Sequence, residues 1–226
     1  MDGNEYVTVI INNREWMAEN LRVSRYNNAD SILTGLNSSE WLNATVGAYG
    51  IYPYNNEDGI NSAADMIAAY GKLYNWYAVS DSRGLCPAGW SVPSKNEWEN
   101  LVEFTEIQGY PNSNVAHGAA NALKSCYQEG SPLGGDCNSS QHPRWNMNNT
   151  HYGFDIFGFA ALPGGSRWLG GEYVYISTIG GWWSSTVLSS NTTAWFSFLE
   201  YDDGEVFFNF GDTQAGLSVR CVRDDD

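Results

Sequence analysis

Positive charge is scarce in this chain. Its 226 residues carry 11 Lys and Arg against 26 Asp and Glu, a net charge of −15 at pH 7. Phosphate recognition needs clustered Lys and Arg, so the sequence argues against nucleic acid as a partner and disfavours an anionic membrane surface. Histidine is rarer still, with His117, His142 and His151, which leaves imidazole metal chemistry thin. No apolar run reaches the 18 residues expected of a membrane-spanning helix, so no membrane insertion is expected of this segment. The glycine-flanked serine of a hydrolase elbow and the phosphate-cradling glycine loop are both missing. None of the seven prolines stands in a Glu-Pro-Asn or Gln-Pro-Asp triplet. Trp145-Asn146-Met147 is not Trp-Asn-Asp, so sugar chelation through calcium lacks its ligands.

Charged residues of both signs reach 16%, low against about 25% in an average soluble domain. Asn, Ser, Thr and Gly carry the polarity instead, and aromatics reach 15%. Such a mixture suits a recognition surface built from Trp and Tyr; a glycine-rich, turn-heavy β protein has the same composition. A single domain of this length buries roughly 70% of its unfolded surface. With no repeat and no linker, residues 1–226 read as one domain. Four cysteines permit three pairings. Cys126 and Cys137 flank a short glycine-rich loop, and Cys86 and Cys221 sit beside structural segments, so those pairs are expected, and with them an oxidising compartment. Zinc would want C-x-x-C or close Cys and His spacing. Met1-Asp2-Gly3-Asn4-Glu5 is not a signal peptide. Export is expected through a leader removed upstream, or inside a phage particle.

Residues 6–11 alternate and are β-branched. Asn12-Asn13 can turn the chain, and residues 14–21 return it, which predicts a hairpin. Residues 22–65 lose periodicity and read as a long loop. Within them Asn55-Asn56-Glu57-Asp58-Gly59 is similar to the acidic half of a calcium loop. It lacks the acidic first position and the closing Glu, so a solvated turn is expected, with a structural calcium as the alternative. Met66, Ile67, Tyr70, Leu73, Tyr74, Tyr77 and Ala78 recur at helical steps, predicting one helix over residues 65–79. Ser94-Lys95-Asn96-Glu97 is a capping box opening a second helix to about Glu106. A short third is expected within residues 117–125, and residues 130–149 read as loop. After residue 152 short apolar runs alternate with turn residues, Asp202-Asp203-Gly204 being the strongest hairpin signal. Helices early and strands late make the chain α+β.

Cys86-Pro87-Ala88-Gly89-Trp90-Ser91-Val92-Pro93-Ser94, followed by Glu97-Trp98, resembles the Fibrobacter succinogenes major paralogous domain. The resemblance continues at Trp16-Met17-Ala18-Glu19-Asn20-Leu21 and at Tyr70-Gly71-Lys72-Leu73-Tyr74-Asn75-Trp76. It extends through Gly180-Gly181-Trp182-Trp183-Ser184-Ser185-Thr186 and Ser218-Val219-Arg220-Cys221-Val222-Arg223, so it covers nearly the whole chain. It implies a C-type lectin-like fold of the formylglycine-generating-enzyme branch, with two main helices packed on small antiparallel sheets. It also implies a place on secreted or surface proteins of Bacteroidetes-like bacteria or on phage virions. Some members resemble the variable proteins of diversity-generating retroelements, in which substitutions are scattered over an exposed binding face.

On this resemblance residues 180–186 and 216–223 form a rigid frame, with Trp182 and Trp183 in the core. Residues 167–179 and 187–209 present the ligand face. The expected contact residues are Trp168, Glu172, Tyr173, Tyr175, Ser177, Trp195, Ser197, Phe198, Tyr201, Asp203, Glu205, Phe207 and Asn209, meeting a protein or glycan on another cell surface. No catalytic residue and no cofactor is expected. A formylglycine-generating oxidase would need a close redox-active cysteine pair at the groove, and the nearest pair, Cys126 and Cys137, precedes the late face. The expected function is recognition through a diversified face, with a fixed glycan-binding module as the alternative.

Overall fold

A computed structural model describes residues 2–56, 58–188 and 192–224. The elements run β1 (Thr8–Ile11), β2 (Arg14–Met17), α1 (Ser38–Leu42), β3 (Tyr49–Gly50), α2 (Ala63–Tyr70), β4 (Leu73–Tyr74), α3 (Trp76–Val79), β5 (Trp90–Ser91), α4 (Lys95–Ile107) and α5 (Ala119–Leu123). A 3-10 turn at Gly135–Cys137 follows. Then come β6 (Gly164–Arg167), β7 (Tyr173–Ile176), β8 (Ile179–Val187), β9 (Thr193–Glu200), β10 (Val206–Asp212) and β11 (Val222–Arg223). The architecture is α+β.

The opening hairpin forms as expected, Asn12 and Asn13 both taking positive φ (50° and 61°) between β1 and β2. Its second strand pairs with β11 from the far end of the chain, and β11 pairs with β5, giving the order β1-β2-β11-β5. The Cys86–Cys221 disulfide fastens the same junction, and Cys126–Cys137 closes an 11-residue loop, as the expected pairing has it. Two disulfides mark an oxidising environment. Among the described residues no helix is long and apolar enough to cross a membrane.

The capping box at α4 is present, with the Glu97 amide donating to Ser94 Oγ and the Ser94 amide to Glu97 Oε2. Its apolar stripe, Trp98, Leu101 and Val102, packs on Trp16, Phe159 and Trp182. The single helix expected over residues 65–79 is instead α2, β4 and α3. Gly71, at φ 78° and ψ −154°, stops α2, and the Tyr74 amide then donates to the Leu217 carbonyl. The apolar spacing was compatible with either form, and long-range backbone bonding decided it. Residues 22–65 are not all loop either: Asn37 and Glu40 form a second capping box that starts α1 and buries Trp41.

The later strands form a sheet ordered β10-β9-β8-β6-β7. Side chains alternate faces along a strand, so the tandem Trp182-Trp183 on β8 supplies two cores. Trp182 enters the cluster under α4, and Trp183 joins Tyr74, Leu217 and Val219. Both are fully buried, with indole N–H groups donating to Asn20 Oδ1 and the Tyr74 carbonyl, each at 2.8 Å.

Candidate ligand-binding groove

The five-stranded sheet carries an open groove of about 430 Å³ on one face. Strand register sets its floor. Gly181 lies opposite Phe198, Trp183 opposite Phe196 and Ile179 opposite Glu200; on the other side Phe207 faces Phe198 and Asn209 faces Phe196. Directly paired residues share a face, so these side chains converge. The rings form a continuous ladder. Trp183 meets Phe196 edge-on at 6.0 Å, Phe196 lies 5.7 Å from Phe198, and Phe198 stacks on Phe207 at 4.9 Å and 18°. Glycine keeps it uncovered: Gly181 sets no side chain beside Phe198, and a Cβ on Gly211 would come within 3.2 Å of the Phe196 ring.

Trp168 and Tyr175 make one wall, their rings edge-on at 6.2 Å and each about half exposed (52% and 46%). Tyr175 sits at φ 68°, beside Gly165 at φ 66°, and a Cβ on Gly165 would collide with the Val174 carbonyl and the Ile176 amide. A tyrosine in the left-handed region costs of order 1–3 kcal/mol, and such outliers gather at ligand sites. Arg167 is the one cation among the lining residues. Its guanidinium stacks over Trp41 and Tyr173 at 4.2 and 4.9 Å and donates to the carbonyls of Gly171 and Leu36. Burial lowers its pKa. The lining acids are Glu200 and Asp212. Burial pushes the Glu200 carboxyl above its ordinary range, and Asp202 and Asp203 push the same way.

Of the expected contact residues, Trp168, Tyr175, Phe198 and Asn209 line the groove, and Phe207 adjoins it through its stack on Phe198. Others do not reach it. Ser197 is sealed and Ser177 is 6% exposed, so neither is presented. Trp195 and Tyr201 lie on the opposite face by strand alternation. Trp195 meets Phe210 at 5.8 Å and Lys95 Nζ at 4.8 Å, and Tyr201 packs against the core under α4. Tyr173 turns to Tyr52 and Arg167. Asp203 spends its carboxylate on the Glu205 amide, and its carbonyl accepts from Lys124 Nζ at 2.7 Å. Glu172 is exposed outside the groove, and Glu205, half-buried, does not line it either.

Phe196, Glu200, Ile179, Ser166, Phe210 and Asp212 line the groove as well and are not among the expected contacts. Period two would have found the first two, because residues at i±2 from Phe198 must share its face. In the calcium-like turn Glu57 lies outside the described residues, while Asp58 is paired with Arg144 at 2.8 Å. Among the described residues no group of three or more His, Cys, Asp and Glu could hold a metal ion.

A profile of the Fibrobacter succinogenes major domain matches residues 9–223. The chain belongs to this family. No curated protein and no solved structure gives a significant match. The motifs shared with the major-domain family are largely the buried skeleton: Trp16, Met17, Leu21, Tyr70, Tyr74, Cys86, Trp98, Trp182, Trp183, Arg220 and Cys221 are all 3% exposed or less. The rings of the groove that reach solvent lie between those motifs.

Proposed function

We propose that this major-domain protein is a non-enzymatic recognition module, built as one C-type lectin-like domain, whose ligand site is the groove on the five-stranded sheet. The observation that carries the reading is the aromatic ladder, left uncovered by glycine, with the opposite faces of β8 and β9 anchored in the interior by Trp182, Ser197 and Leu199. A stiff frame with exposed rings binds at small entropic cost, since each ring has few torsions to freeze. Neither disulfide lines the groove, which favours recognition over an oxidase built on a cysteine pair. The setting is an extracellular or virion surface, and the partner is a protein on another surface.

The rings and polar side chains between the family motifs are positions that can change without touching the core, which suits diversification by a retroelement. A reverse transcriptase gene near a copy of the coding segment for residues 168–223, differing at adenines, is the expected genomic context; its absence would count against diversification. The binding site itself is tested on peptide and glycan arrays with the wild type, Trp168→Ala and Phe198→Ala. Hits lost in both variants are expected. Hits indifferent to both changes would sink the assignment.

A further inference from the structure

The groove combines ring faces with carboxylates, and its one lining cation, Arg167, is buried and held by backbone carbonyls. From residue 162 to residue 220 the chain holds six acids (Glu172, Glu200, Asp202, Asp203, Glu205 and Asp212) and two arginines, Arg167 and Arg220. Both arginines are buried, at 4% and 0% exposure; Arg167 donates to the Gly171 and Leu36 carbonyls, and Arg220 to the Phe159 and Ala160 carbonyls and to Asn20 Oδ1. An anionic ligand would therefore meet carboxylates with nothing to answer its charge. A cation gains twice, from the negative faces of the rings and from the acids.

We propose that the groove takes a lysine or arginine side chain from an extended basic segment of a partner protein. This rests on the groove being the recognition site. The cationic head would lie over Phe196 and Phe198 with Glu200, on their face of β9, as its counter-charge and with Asp212 adding negative charge at the groove's rim, at the end of β10; its apolar stem would run against Trp168 and Tyr175. A polypeptide is favoured over a free amine because the wall at Asn209–Asp212 belongs to β10, the terminal strand of the sheet. An extended chain beside a terminal strand can add backbone hydrogen bonds to the side-chain contact. Lys95 shows the same chemistry on the opposite face, its Nζ lying 4.8 Å from the Trp195 ring centroid.

The test is calorimetric titration of the full chain with hexalysine and with fully Nε-acetylated hexalysine, which keeps the stems and removes the charge. Hexalysine is expected to bind at least tenfold more tightly than the acetylated peptide. Phe198→Ala should weaken it about tenfold, and the double change Glu200→Gln with Asp212→Asn about tenfold or more. Glu103→Gln with Glu129→Gln alters net charge equally at exposed sites outside the groove and should change affinity less than twofold. Equal affinity for the two peptides, equal losses in the two double variants, or no hexalysine binding would overturn the proposal. The charge variants sit on partly exposed positions, so a thermal melt confirms their fold if Phe198→Ala proves unstable. A neutral peptide or glycan bound in a Phe198-dependent way would leave the recognition site standing and remove the cation. Absence of any Phe198-dependent ligand would remove both.

Discussion

Lys124 is the side chain whose surroundings are most at odds with its ordinary chemistry. It is fully buried, and Nζ donates to Asn121 Oδ1, the His151 carbonyl and the Asp203 carbonyl at 3.1, 3.1 and 2.7 Å. Burial pushes its pKa down to about 7, against partial compensation from Asp203, Asp202 and Glu200. Between that value and the ordinary lysine range the unfolded chain holds a proton that the folded chain does not, so stability rises with pH. Urea melts between pH 7.5 and 9.5 should show a rise of up to about 1.4 kcal/mol per pH unit. In Lys124→Met the slope should vanish, and the strand of acceptors left behind should cost about 2–4 kcal/mol at pH 7. An unchanged slope in the variant would place the titration elsewhere. Tyr175 makes the converse case. Glycine there relieves the left-handed backbone while losing a half-exposed ring, so Tyr175→Gly should stay within about 1 kcal/mol of the wild type and yet bind hexalysine less well.

At the scale of the element, backbone conformation overrides side-chain spacing at Gly71. The stripe Met66, Tyr70, Leu73, Tyr74 is consistent with a continuous helix, but Gly71 occupies a region open only to glycine. A Cβ there would meet Asn20 Cβ at 2.7 Å and the Leu21 carbonyl at 2.9 Å. Gly71→Ala should therefore cost at least about 2 kcal/mol by chemical denaturation; a continuous helix would instead be stabilised by alanine. The elements legible in the sequence were those with local signals, namely the Asn12-Asn13 hairpin, the Ser94–Glu97 capping box and the Asp202–Gly204 turn. The capping box at Asn37 carries the same kind of signal, but the polar, aperiodic stretch around it masks the helix it starts. In β9 the sequence placed a strand but not its faces. Trp195, Ser197 and Phe198 cannot all look one way on a strand, and alternation sends only Phe198 to the groove.

Across the whole molecule, the last strand is set between β2 and β5 and is covalently tied to the middle of the chain. The Cys86–Cys221 bond spans 135 residues and Cys126–Cys137 spans 11. Loop-closure entropy assigns them about 5 and about 3 kcal/mol respectively. Replacing Cys86 and Cys221 together by alanine should lower the guanidinium midpoint more than replacing Cys126 and Cys137. The reverse order would mean that the unfolded chain is already held compact.

Composition and motif order alone determined the family, the α+β class and the burial of the tandem tryptophans, because each depends on local chemistry or on residues that must be inside; among three permitted cysteine pairings they favoured the one the fold closes. Which rings face the groove was decided by tertiary structure. A strand's two faces are equivalent until register places one of them over the core, and that register is set by partners distant in sequence: Trp182 held by Asn20, Trp183 by Tyr74, and Arg167 by Leu36.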